Sequence, residues 1–239
     1  MTYTVQFKSK QDVAEGTTAF YFSRPDGFTF KAGQAIDLIL PDPEHPGEEG
    51  DRHAFSMVGA PFQDDLCITT RMRDSLFKRR LGALAPGASA QVDGPFGSLA
   101  LHGKANRAAV FIAGGIGITP FMSMLKHAAH EALPQQILLL YSNRRPEDAA
   151  FLGELQELER KNPRFRLMAT MTQMAKSSKP WAGERSMLNG SLIKHEIAGL
   201  PDPVFYLVGP PAMVEAMKGA LEQAGIDSDD IRSEEFYGY

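Results

Sequence analysis

Ala113-Gly114-Gly115-Ile116-Gly117-Ile118-Thr119-Pro120 is the most informative segment of the chain. It follows a strand-like apolar run, Ala108 to Ile112, and opens into the helix-like segment Phe121 to His130. Glycines lacking side chains let a ligand approach the backbone, and a helix starting at Thr119 or Pro120 presents unpaired N–H groups and the positive end of its dipole. A dinucleotide's phosphates would sit there. A purely structural tight turn explains the same glycines, so the rest of the chain must discriminate.

Downstream of this turn, apolar strands alternate with helices. The strands are Ala108 to Ile112, Ile137 to Tyr141, Phe165 to Thr170 and Val204 to Val208; the helices follow Pro120 and span Asp148 to Lys161 and Ala212 to Ala224. That alternation builds a parallel sheet covered on both faces, with its ligand crevice at the strand C-terminal ends. Those ends carry Gly114-Gly115, then Ser142-Asn143-Arg144-Arg145, then Thr170-Met171-Thr172, then Gly209-Pro210-Pro211.

Upstream the period changes. Short β-segments run from Tyr3 to Lys8, Thr17 to Ser23, Ala35 to Leu40, Ala54 to Val58, Leu66 to Arg73 and Ala88 to Val92, punctuated by Gly and Pro. Strands this frequent predict an antiparallel barrel or sandwich. One helix interrupts them, Leu76 to Leu84, capped by Asp74 or Ser75, and its N-terminus is a second potential phosphate site. The acidic, Pro/Gly-rich segment Pro41 to Asp51 reads as an exposed excursion. A boundary at Gly103 to Asn106 divides the chain into residues 1–103 and 104–239.

Bulk composition narrows the classes. The 239 residues are 43% hydrophobic and 23% charged, ordinary for a globular enzyme, and 25 Lys plus Arg against 29 Asp plus Glu give a formal charge of −4. That balance carries no duplex nucleic-acid footprint and no attraction to an anionic membrane. No secretion-signal pattern and no spanning apolar run is visible, so the default expectation is a cytoplasmic protein without membrane insertion. Cys67 is the single cysteine, which excludes an internal disulfide or a four-cysteine iron–sulfur cluster within these residues. The six histidines lack metal-ligand spacing, and no metal site is expected.

Several motifs, in order, resemble the ferredoxin–NADP reductase superfamily over essentially the whole length. They are Phe30-Lys31-Ala32-Gly33-Gln34; Arg52-His53-Ala54-Phe55-Ser56, similar to the flavin segment Arg-x-Tyr-Ser; Gly94-Pro95-Phe96-Gly97; Gly115 to Pro120; Gly209-Pro210-Pro211 with Met213; and Glu235-Phe236 near the end. The resemblance implies an N-terminal antiparallel β-barrel binding FAD, followed by a Rossmann-like parallel-sheet domain binding NADPH or NADH. The chain resembles the reductase core without the fused cluster domain.

Site residues follow from that resemblance. Phe55 offers a flat face for the isoalloxazine, with Met57 after it, and the Ser56 hydroxyl suits flavin N5, the hydride acceptor. Two residues separate Arg52 from Phe55 where the usual pattern has one, so His53 occupies the expected Arg position. Either His53 faces the flavin, the favoured reading, or a bulge brings Arg52 back to the diphosphate; otherwise Arg52 is a solvated partner of Asp51. Thr70, Arg71, Met72, Ser75 and Leu76 are expected along the ribityl chain and phosphates. Lys78, Arg79 and Arg80 read either as an exposed basic face or as a docking face for an acidic acceptor.

On the nucleotide side the expected contacts are Gly114, Gly115, Gly117, Thr119, Ser142, Asn143, Arg144, Arg145, Gly209 and Pro210. Hydroxyl and guanidinium groups after the second strand suit the 2′-phosphate of NADP, so NADPH is preferred over NADH. Glu147 and Asp148 read as first-turn acids of the next helix. Phe236 or Tyr237 is expected over the flavin with Glu235 near the hydride path, Tyr239 being able to reach a neighbouring subunit instead, and Trp181 is expected to pack over its own polar loop. Val208 stands where many relatives carry a cysteine.

The implied activity is hydride transfer from NAD(P)H to FAD at the interface of the two halves, then delivery of electrons to a separate ferredoxin, flavodoxin, haem or oxygenase component, or quinone. The alternatives are a non-catalytic nucleotide-binding regulatory or assembly subunit, or a reductase of free flavin.

Overall fold

The computed structural model describes residues 1–40 and 51–237, so the expected excursion up to Gly50 and the last two residues, including Tyr239, lie outside the described residues. The chain forms two compact units, residues 1–100 with 119–127, and residues 101–118 with 128–239.

The first unit is built from β1 (Thr2–Ala14), β2 (Thr17–Ser23), β3 (Ala35–Ile39), β4 (Arg52–Ser56), β5 (Asp65–Arg71), α1 (Leu76–Ala83) and β6 (Ser89–Phe96). The strands make a six-stranded sheet in the order β4-β3-β6-β1-β2-β5, antiparallel throughout. Alternation along each strand sends Val5 and Phe7, Phe20 and Phe22, Ile36 and Leu38, and Leu66 and Ile68 into one core, which Phe77 and Leu81 of α1 help to fill. The two edge strands meet through one bridge, Met57 to Ile68, and the Val58 N–H donates to the Cys67 carbonyl at 2.8 Å. The sheet is therefore barrel-like but not closed: no ladder joins β4 to β5 among the described residues.

The second unit contains β7 (Ala109–Gly114), α2 (Ile118–His130, of which residues 119–127 group with the first unit), β8 (Ile137–Asn143), α3 (Leu152–Lys161), β9 (Phe165–Met171), α4 (Gly190–Glu196), β10 (Val204–Gly209), α5 (Pro211–Gln223) and β11 (Ile231–Glu235). Its sheet is parallel, in the order β11-β10-β7-β8-β9. β7 and β10 are buried at every position, as a central parallel strand covered on both faces must be. The chain leaves β7 toward β8 and β9 and later returns to its other side, which makes the β7/β10 border the topological switch point.

The helix expected from Asp148 starts at Leu152 instead. Residues Pro146–Asp148 form a separate 3-10 turn, and Phe151 enters α3 with φ 61°. α4 and β11 have no counterpart in the expected elements.

Candidate functional site

At the switch point the two glycine turns press on each other. A Cβ on Gly117 would lie 2.2 Å from the Val208 carbonyl oxygen, one on Gly114 would lie 2.5 Å from the Met213 sulfur, and one on Gly209 would lie 3.1 Å from the Gly114 Cα. These glycines permit close backbone contact between strand ends, while Gly115, at φ 54°, makes the turn itself. Packing thus accounts for Gly114, Gly117 and Gly209, and turn geometry for Gly115. Thr119, 2% exposed, is in the first turn of α2, and Pro210 precedes α5 as its N-cap residue.

β8 ends beside this border with Ser142 and Asn143. Asn143 is 5% exposed, and both its amide oxygen and its amide nitrogen are buried without a hydrogen-bond partner. Burying such a group unpaired costs about 1–3 kcal/mol, which a ligand's polar atoms would offset. Arg144 is exposed and its carbonyl accepts from the Gln173 N–H at 2.7 Å. Arg145 closes bidentately on Asp148, with Nε to Oδ2 at 2.9 Å and Nη2 to Oδ1 at 2.7 Å.

Glu147 takes the Ser177 hydroxyl and the Ser178 hydroxyl and N–H. Desolvation works against its charge, yet hydrogen bonds from its own N–H and from those serines hold its pKa at about 2. The two acids read as helix-turn residues are instead the fasteners of this corner. The fastened loop packs on itself: Trp181 Nε1 donates to the Glu184 carbonyl, and its ring fills the space a Cβ on Gly183 would need.

In the first unit, β4 pairs with β3 without a register break, from Ala35 opposite Ser56 to Ile39 opposite Arg52. No bulge intervenes, so His53, Phe55 and Met57 share the face toward the core, while Arg52 and Ser56 take the other. Met57 is fully buried in the core. The His53 ring lies 4.4 Å from Phe77 in a T-shaped contact, and Phe55 lies 5.9 Å from Phe77. Burial and the Lys78 ammonium push the His53 pKa down, keeping the ring neutral near pH 7. Arg52 ion-pairs with Asp37 at 2.6 Å and Asp93 at 2.7 Å, whereas Asp51 pairs with Arg80. The alternative of an Asp51 partnership for Arg52 is thereby replaced by Asp37 and Asp93, and its guanidinium is turned away from the Phe55 face.

Ser56 is buried at the end of β4. Thr70 points into the core as Leu66 and Ile68 do, and the buried Thr69 hydroxyl, on the opposite face, has no partner. Ser75 caps α1 by accepting the Lys78 N–H at 3.3 Å, Leu76 is 48% exposed, and no acid occupies that first turn. Arg71 and Met72 are half-buried just before it. In the tail, Glu235 pairs with Gly209 as the last residue of β11, the Phe236 N–H donates to the Gly209 carbonyl at 2.9 Å, and the Tyr237 hydroxyl donates to the Glu235 carboxylate.

The second unit sets a buried unpaired amide beside paired glycine turns, and the first an aromatic cluster beside an acid-free helix start and an unpartnered buried hydroxyl. Fold and donor set define a flavin-dependent NAD(P)H oxidoreductase. Residues 111–219 match the profile of the oxidoreductase NAD-binding domain. The chain is 30% identical over 226 residues to ferredoxin–NADP reductase B of Sorangium cellulosum, covering 90% of this chain and 89% of that protein. It therefore belongs to the ferredoxin–NADP reductase family. It is also 29% identical over 217 residues to the reductase component of propane 2-monooxygenase from Mycolicibacterium goodii, covering 89% of this chain but 60% of that longer protein. A ferredoxin–NADP+ reductase structure from Neisseria gonorrhoeae shares the fold, with a TM-score of 0.82 at 20% identity over 98% of each chain. Among the described residues no helix is long and apolar enough to cross a membrane.

Proposed function

We propose that the antiparallel unit carries FAD, that the parallel unit binds NADPH in preference to NADH, and that the protein feeds a separate cytoplasmic acceptor. Acceptors of the ferredoxin or oxygenase-component type suit it, since the relatives' names include both. The observation that carries this reading is the pair of glycine turns at the sheet's switch point with the unpaired Asn143 amide at its margin. The preference for NADPH is supported by the state of the β8 corner. The two acids that follow are engaged within the protein, Asp148 by Arg145 and Glu147 by the serines, while the Arg144 cation faces solvent.

A bound flavin supplies a hydride acceptor that returns its electrons singly. The chain's own residues bind and orient it. Phe55 offers an apolar surface and neutral His53 a hydrogen-bonding ring on one face of β4, and Ser56, at the strand's end on the other face, a hydroxyl for the N5 atom. Thr69 contributes a second hydroxyl, and Ser75, the α1 N-terminus and Arg71 an anion site. Arg52 is left out of this set because its charge is already spent on Asp37 and Asp93.

The test is the visible spectrum of the purified protein followed by anaerobic addition of stoichiometric NADPH and, separately, NADH. A yellow protein bleached faster by NADPH supports the reading. A colourless protein that takes up no FAD and oxidises neither nucleotide overturns it, and flavin lost on gel filtration yet reduced when added free indicates a free-flavin reductase. Ser56→Ala is expected to slow flavin reduction about tenfold with NADPH affinity unchanged, the pattern of a group acting on the hydride step.

A further inference from the structure

Two guanidinium groups follow β8, and the structure treats them differently. Arg145 gives Nε and Nη2 to the two oxygens of Asp148, with side chains 24% and 13% exposed. The backbone fixes the same geometry, because the Asp148 N–H donates to the Arg145 carbonyl at 3.0 Å within the 3-10 turn. A bidentate carboxylate occupies the fork that would otherwise grip a phosphate, and it cancels the charge in a half-buried place where solvent screens little. For a phosphate to take Arg145, the ion pair must open and leave Asp148 beside a dianion. Arg144 has no such competitor: its side chain is exposed and, among the described residues, makes no hydrogen bond or ion pair.

We propose that Asp148 is a specificity-determining residue that competes with the coenzyme's 2′-phosphate for Arg145, so that discrimination between phosphorylated and unphosphorylated dinucleotides rests on Arg144. This builds on the reading that the second unit binds NAD(P)H at this sheet edge. It makes Asp148 an internal mimic of the phosphate, restraining a preference to which both guanidinium groups could otherwise contribute.

The experiment is calorimetric titration of the flavin-loaded full chain with NADP+ and with NAD+, for the wild type, Asp148→Asn, Asp148→Asn/Arg145→Ala and Arg144→Ala. Asp148→Asn is expected to tighten NADP+ about tenfold and to move NAD+ less than about twofold, as a freed charge-assisted fork would. The double variant is expected to lose that gain, and Arg144→Ala to bring the two dinucleotides toward equal affinity. An unchanged NADP+/NAD+ ratio in a folded Asp148→Asn protein, or a gain that survives removal of Arg145, overturns the proposal. If Asp148→Asn does not fold, Arg144→Ala decides: retained NADP+ preference there means Arg145 is already available, and the proposal fails. A wild type that binds neither dinucleotide defeats the underlying reading, whereas binding of both with an insensitive ratio defeats only the role of Asp148.

Discussion

Gly117 and Gly219 show how little a residue's identity says before its neighbours are known. A methyl on Gly117 would meet the Val208 carbonyl at 2.2 Å, backbone against backbone, whereas one on Gly219 in α5 would meet nothing within 4 Å. Gly117→Ala is therefore expected to cost about 3 kcal/mol through overpacking, and Gly219→Ala to gain about 0.5–1 kcal/mol by restricting the unfolded chain and improving helix propensity. Urea unfolding of both variants measures the contrast; equal effects would sink it.

His102 makes a second residue-scale case. Its Nδ1 accepts the Lys104 N–H at 3.2 Å and its Nε2 lies 3.2 Å from the Ala108 carbonyl, so the folded ring is neutral, and burial pushes its pKa down. As pH falls through about 6.5 the unfolded chain takes the proton first, so the stabilisation present above that pH is lost below it. The melting temperature of the wild type should drop more between pH 7.5 and about 5 than that of His102→Gln, in which this titration is absent; parallel curves would refute it.

At the scale of elements, the legible parts were those whose period is local. β7 and β10 read as strands because every position is apolar, and α1 because Phe77 and Leu81 fall on one face behind the Ser75 cap. β11, Ile231 to Glu235, was not legible: its polar run becomes a strand only because β10 offers an open edge. Arg107 helps to hold it there. It is 8% exposed, grips Asp230 with two bonds of 2.7 Å and also pairs with Asp202. Arg107→Ala should cost about 2 kcal/mol, since it leaves two carboxylates without their cation, and should speed amide exchange in β11 before the rest of the sheet. Uniform exchange across the sheet would argue against this anchoring. The 3-10 turn before α3 escaped sequence reading for a similar reason: acids at 147 and 148 suit a helix start, and only the positions of Arg145 and Ser177 turn them into fasteners.

For the whole molecule, each unit is expected to answer its own ligand. Hydrogen exchange should slow in residues 52–58 and 69–81 on adding FAD, and in 114–119, 142–148 and 209–213 on adding NADP+, because a ligand stabilises what it touches by mass action. Protection by FAD confined to the second set would reverse the assignment. Periodicity and turn chemistry are short-range properties, so the two fold classes, the glycine turns and the order of motifs that marks the family were legible from residues alone. The tertiary structure alone decided that no bulge returns Arg52 to the face of Phe55, that Arg145 rather than Arg144 pairs with Asp148, and that the tail forms a strand. Those outcomes depend on strand register, and on which cation the 3-10 turn brings within about 3 Å of Asp148, neither of which residue identity or periodicity fixes.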